Sequence, residues 1–216
     1  MKRIIVFSNG YYNNMNFYSE LITSNDYIIC ADGGANYALS IGVRPDMVVG
    51  DLDSIDKTVY KQLLDLGTTI EKYPCEKDMS DLEIALEKAI EYQPEEIVIF
   101  GALGNRLDQT LNNINILLLP LRNDIKASIV DEYHQVQLFN KKITINGNSD
   151  DYLSLYPLTE DVSGVTTEGL KFPLNGEILY FASTRGLSNE FINNMATITI
   201  EKGLLLVIKV KRTWKN

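Results

Sequence analysis

Five short apolar runs, "RIIVFS", "YIICAD", "MVVGD", "TTIEKYP" and "EIVIFGA", follow one another before residue 103, and helical stretches separate several of them. The helices are predicted at residues 56–66, 79–92 and 106–119. A chain that alternates strand and helix in this way returns each strand beside the last one, so it folds as a parallel sheet covered by helices. The stretch 79–92 carries the expected stripe, with Leu82, Ala85, Leu86, Ala89 and Ile90 on one side. From about residue 125 the period changes to two. "KASIVD", "HQVQLF", "KKITIN", "YLSLYPL", "EILYFAS", "ATITI" and "LLLVIKV" read as short strands, with turn signals such as "PLNG" and "EKG" between them. The expected fold class is therefore α/β: an N-terminal mostly parallel sheet flanked by helices, Rossmann-like, followed by a C-terminal all-β sandwich. The expected domains are 1–122 and 123–216, packed closely, with the boundary at residues 120–124.

Four polar clusters fall at the carboxyl ends of predicted strands. "SNG" (Ser8, Asn9, Gly10) follows the first, "DGGAN" with Asp32, Gly33 and Gly34 the second, "GDLDSI" the third and "GALGNRLDQT" the fifth. Ligands of open α/β sheets bind along that edge, where strand ends meet helix N-termini. "GDLDSI" is the sharpest of the four. Asp51 and Asp53 share one face of an extended backbone, and two unit charges about 4 Å apart repel by roughly 4 kcal/mol at an effective dielectric near 20. A cation between them is expected. Asp78, Asp81 and Asp108 add to the count. Each has an ordinary reading as a helix-start acid, since Ser80 with Glu83 three residues on forms a capping box. Together with Asp32 they would all reach one edge. Carboxylate oxygens without Cys or His suit Mg²⁺, and Arg106 offers a bidentate phosphate donor.

Charge and residue counts narrow the function classes. A formal net charge of -9 disfavours nucleic acid and anionic membranes as partners. With one histidine, His134, in an alternating strand pattern, and two cysteines outside any CxxC spacing, histidine-based nucleophilic triads and zinc sites lose their residues. The P-loop pattern is absent. No apolar run is of membrane-span length, and the N-terminal run is too short for a signal peptide, so a cytoplasmic protein is expected. The residues point to a magnesium-dependent enzyme acting on phosphates, with a nucleotide.

At these same residues the chain resembles the thiamine pyrophosphokinases. "DGGAN", "GDLDSI", "KDMSDLEIAL" and "GALGNRLDQTLNNI", then "GLKFPL" and "STRGLSNEF", stand in the family's order along essentially the whole chain. The resemblance implies a nucleotide- and metal-binding catalytic domain followed by a thiamine-binding and dimerisation domain, a homodimer, and transfer of pyrophosphate from ATP to thiamine. It implies Asp51, Asp53 and Asp81 as Mg²⁺ ligands, and Asp81, Asp108 and Asp32 as catalytic carboxylates. Ser8, Asn9, Gly10, Gly33, Gly34, Arg106 and Gln109 would contact ATP, and Asp78, Phe172, Ser188 and Asn189 the thiamine side. Either Asp81 or Asp108 would handle the hydroxyl proton. Two rivals use the same acidic cluster: a metal-dependent phosphohydrolase with water as nucleophile, and a nucleotide sensor without turnover.

Overall fold

The computed structural model describes residues 2–149 and 151–212, which fall into two compact units, one ending at Glu132 and the other starting at Tyr133. In the first unit the chain runs β1 (Arg3–Phe7), α1 (Met15–Leu21), β2 (Tyr27–Ala31), α2 (Gly34–Ser40), β3 (Met47–Gly50), α3 (Lys57–Asp65), β4 (Thr69–Lys72), α4 (Asp81–Glu91), β5 (Glu96–Phe100), α5 (Leu107–Asn115), α6 (Leu118–Arg122) and β6 (Lys126–Val130). All six strands are parallel, in the order β6-β5-β1-β2-β3-β4. The Ile and Val side chains of β1, β2, β3 and β5 are buried throughout their last four residues or more, as expected of strands with both faces covered. The chain turns to one side of β1 through β2, β3 and β4, then crosses to the other side for β5. A crevice therefore opens at the carboxyl ends of β1 and β5, the place where ligands of such sheets sit.

Two details differ from the sequence expectation. The helix expected at 106–119 is two helices, broken around Ile116 and Leu117. Pro120 has no N–H to return to the Ile116 carbonyl, and it is accommodated in the first turn of α6, where that bond is not needed. "KASIVD", read with the second half, is β6, and it pairs parallel to β5 from Glu96↔Lys126 to Ile99↔Ile129. The capping box does form. Ser80 Oγ accepts the Glu83 N–H at 3.2 Å ahead of a helix whose Leu82, Ile84, Ala85, Leu86 and Ala89 are buried. Ser80→Ala should accordingly cost about 1 kcal/mol in urea unfolding, with no change in the slope of the transition.

The second unit holds β7 (His134–Phe139), β8 (Lys142–Asn146), β9 (Tyr152–Pro157), β10 (Asp161–Glu168), β11 (Glu177–Tyr180), β12 (Asn189–Glu190), β13 (Met195–Thr199) and β14 (Leu205–Val210). Its strands pair antiparallel in two layers, β12-β9-β14-β7 and β11-β10-β13-β8. Phe139, Leu153, Leu155, Leu205 and Val207 of the first layer pack with Ile145, Val162, Val165, Leu179, Ala196 and Ile198 of the second. This is the expected sandwich. The strand β10 carries no period-two signal in the sequence because its buried residues Val162 and Val165 are three apart. A bulge absorbs the extra residue: the register with β11 shifts between them, and Gly164 takes a φ of +67°.

Candidate active site

The polar clusters of the first unit meet as the crevice predicts. A cleft of about 670 Å³ is lined by Ser8, Asn9 and Gly10 after β1, Asp32 after β2, Asp51, Asp53 and Ser54 after β3, Ser80 and Asp81 at the start of α4, and residues 101–106 after β5. Asp108, Gln109, Thr110, Asn112 and Asn113 of α5 complete it. The walls require glycine where the backbones converge. A Cβ on Gly10 would lie 1.9 Å from the Gly101 carbonyl oxygen, and one on Gly34 would lie 2.1 Å from that of Phe7. A Cβ on Gly33 would lie 2.5 Å from Asn9 Oδ1. Gly33 and Gly34 thus shape the wall from behind and do not line the cleft.

Side chains from neighbouring helices hold the loops. Asn36 of α2 donates to the Ser54 carbonyl at 2.9 Å and accepts the Asp56 N–H at 3.1 Å, clasping "DLDSI" from both sides. On α5, Thr110 bonds both the N–H and the carbonyl of Gly104 at 3.2 Å, and Asn113 donates to the Ala102 carbonyl at 2.8 Å. These helical partners are visible in the sequence only as polar residues on one face of α5. Two residues of the loops adopt left-handed backbone without being glycine: Asp32 (φ 45°) and Leu52 (φ 68°). Such conformations persist where the surroundings fix them, and they gather at functional sites.

The carboxylates divide into two groups. Asp32, Asp51 and Asp53 each present an oxygen within 4.8 Å of the others. Asp32 is buried, and its Oδ1 has no hydrogen-bond donor. Burial pushes its carboxyl above the ordinary range, with the charge of Asp81 adding to this against hydrogen bonds from Ser54 and Gly33. Asp51 is held below the ordinary range, first by the Asp53 N–H that it accepts at 3.2 Å. Three carboxylate groups, one of them buried with an unpartnered oxygen, fit a hard divalent cation such as Mg²⁺. Asp81 stands apart. Its Oδ1 forms an ion pair with Lys77 Nζ at 2.9 Å, and Lys77 Nζ also lies 4.0 Å from Asp51 Oδ2. Desolvation works against the Lys77 charge, yet Asp81 and Asp51 outweigh it and raise its pKa.

Arg106 and Asp108 form a two-pronged pair at 3.0 and 2.6 Å on the exposed rim. That pair takes the Asp108 carboxyl down to about 2. Asp78 is exposed and does not line the cleft. In the second unit, Phe172 and Asn189 line a smaller cavity of about 390 Å³ together with residues 183–187. Ser188 is not among its lining residues. It takes a φ of 55° and donates its N–H to Ser154 Oγ at 3.0 Å. Asn189 is buried, with its carboxamide turned onto the backbone of Phe172.

Comparison with known proteins matches both units. The family model described as thiamin pyrophosphokinase, catalytic domain, covers residues 18–129, and that described as thiamin pyrophosphokinase, vitamin B1 binding domain, covers residues 140–205. Thiamine pyrophosphokinase of Bacillus subtilis (strain 168) is 33% identical over 183 residues, 84% of this chain and 86% of that protein. A crystal structure of thiamine pyrophosphokinase from Bacillus subtilis superposes with a TM-score of 0.87 at 30% identity, covering 98% of this chain and 100% of the other. Thiamin pyrophosphokinase from Geobacillus thermodenitrificans gives 0.84 at 30% identity, with 99% of each chain covered.

Proposed function

The chain belongs to the thiamine pyrophosphokinase family, and from that premise we infer that it transfers the pyrophosphoryl group of ATP to the hydroxyl of thiamine, giving thiamine diphosphate and AMP. The observation that carries the reading is the cleft at the carboxyl ends of β1 and β5, where an oxygen-only acidic triple shares one wall system with Arg106 and two glycine-built turns. Neither rival reading accounts for the B1-binding match over residues 140–205.

In this reading Asp51, Asp53 and Asp81 hold Mg²⁺ as the resemblance implies, and Asp32, whose oxygen lies within 4.8 Å of those of Asp51 and Asp53, joins them; the oxygen-only donor set supports it. When bound, the ion neutralises polyphosphate charge during transfer. Ser8, Asn9, Gly10, Arg106 and Gln109 bind the nucleotide from the cleft wall, with Gly33 and Gly34 keeping that wall close. Arg106 exchanges its Asp108 partner for phosphate oxygens, which take the same two-pronged geometry. Asp81 or Asp108 takes the thiamine hydroxyl proton; Asp108 is freed for it once Arg106 turns to phosphate. The first unit supplies the catalytic part and the second the thiamine-binding and dimerisation part, so the expected division into 1–122 and 123–216 moves past β6 to Glu132. Phe172, Ser188 and Asn189 serve the thiamine side, Phe172 and Asn189 from the wall of the smaller cavity. A homodimer belongs to the same reading, supported by Tyr180, Leu187 and Ile192, each more than half exposed on the second unit. So does a cytoplasmic location, supported by two free thiols, Cys30 and Cys75; among the described residues no helix is long and apolar enough to cross a membrane.

The deciding experiment is incubation with ATP, Mg²⁺ and thiamine, followed by product analysis. AMP that forms only when thiamine is present, without free pyrophosphate, is the expected result. Phosphate release that ignores thiamine would assign a hydrolase, and the absence of any product a sensor.

A further inference from the structure

Lys77 was not singled out by the sequence, and it is the cation nearest the acidic triple among the described ion pairs. Its ammonium touches Asp81 Oδ1 at 2.9 Å, stands 4.0 Å from Asp51 Oδ2, and donates to the Pro74 carbonyl at 3.2 Å. The side chain is 13% exposed. It precedes the helix cap Ser80, so the pairing with Asp81 is made by the loop before α4 and not by a helical face. Gly50 brings the two carboxylate groups near this point: a Cβ there would lie 3.0 Å from both the Asp32 Cβ and Asp81 Oδ1.

Lys77 bridges the two groups of carboxylates, and among the described ion pairs it is the one cation placed against both Asp81 and a member of the triple. We propose that Lys77 is a built-in counter-cation of the acidic cluster, neutralising Asp51 and Asp81 in the nucleotide-free enzyme and competing with the divalent cation for Asp51. The inference rests on the assignment of Asp32, Asp51, Asp53 and Asp81 as the cation site. Its consequence is a deliberately weakened site. An ammonium beside Asp51 lowers the negative potential that a second cation would feel, so the site fills with metal only at higher concentration, or when the metal arrives with polyphosphate charge of its own. Lys77 acts here through Asp51 and Asp81, as a positioning and tuning residue.

The test is a Mg²⁺ titration of the melting temperature without ATP, repeated by calorimetry, on the wild-type protein and on Lys77→Met. Removing the ammonium should lower the half-saturating Mg²⁺ concentration roughly tenfold, equivalent to about 1.4 kcal/mol. Lys77→Arg, which keeps the charge, should stay near wild type. Lys88→Met removes the same net charge on α4, where Lys88 pairs with Glu71 and Glu91, and should shift the midpoint by less than about twofold. If Lys77→Met does not fold, Lys77→Gln is read in the same way. An unchanged or higher midpoint for the neutral variants overturns the proposal. So does a raised KM for ATP at an unchanged Mg²⁺ midpoint, which would make Lys77 a phosphate contact. A wild-type protein whose melting temperature ignores Mg²⁺ would instead remove the cation site itself.

Discussion

Exchanging Asp51 or Asp53 for asparagine is expected to lower kcat roughly a hundredfold or more at saturating Mg²⁺, while the protein melts at or slightly above the wild-type temperature. The two halves of that expectation have one cause. Asp32, Asp51 and Asp53 bring oxygens within 4.8 Å of one another, a spacing at which like charges repel by a few kcal/mol at an effective dielectric near 20. Asparagine keeps the size of the side chain and one acceptor oxygen. At position 51 that oxygen can still take the Asp53 N–H, and at position 53 it can still take the Ser54 hydroxyl. The fold therefore loses little and sheds repulsion. What disappears is the negative charge that would bind a hard cation, so kcat falls and the Mg²⁺-induced rise in melting temperature shrinks with it. Near-normal turnover in either variant at saturating Mg²⁺ would show that the carboxylate is not a ligand.

The acidic cluster was legible in the sequence because its signal is local. Two aspartates two residues apart behind an apolar run mark a strand end, and strand ends of an α/β sheet meet at one edge by topology. The left-handed Leu52 between them replaces the extended backbone expected there, yet both carboxylates still reach Asp32. The capping box at Ser80 is local in the same way. Lys77 was not legible. It stands four residues before Asp81, a helical spacing, but ahead of the cap, so no helical face makes the pair. Glycine positions were legible as close approaches without revealing what approaches. At Gly33 and Gly34 the answer is Asn9 and Phe7, atoms more than twenty residues away in the chain. The strand β6 was visible as a strand, yet only its pairing with β5 says which unit owns it.

Asn189 is where the long-range structure changes the argument most. Its place in "STRGLSNEF" suggests a polar group offered to a ligand. In the fold it is 6% exposed, its Oδ1 accepts the N–H groups of Phe172 (3.0 Å) and Glu190 (2.9 Å), and its Nδ2 donates to the Phe172 carbonyl at 2.7 Å. The carboxamide thus clamps both backbone groups of Phe172, whose ring stays 55% exposed and lies 5.5 Å from Lys171 Nζ. Asn189→Ala would strand three backbone groups at once. Leaving one such group unpaired costs about 1–3 kcal/mol, and at about 2–4 °C per kcal/mol for a chain of this size the melting temperature falls by roughly 2–12 °C for each group that water does not satisfy. It should also raise the KM for thiamine about tenfold or more and leave that for ATP nearly unchanged, because the clamp and the smaller cavity belong to the second unit. Phe172→Ala separates the two routes by which that can happen. The ring is exposed and the clamp uses only backbone, so this variant should melt normally. If the amide works by presenting the ring, Phe172→Ala weakens thiamine as much as Asn189→Ala does. If thiamine affinity survives Phe172→Ala and is lost in Asn189→Ala, the amide meets the substrate itself. Equal losses for both substrates in Asn189→Ala would mean that the acceptor pocket lies elsewhere.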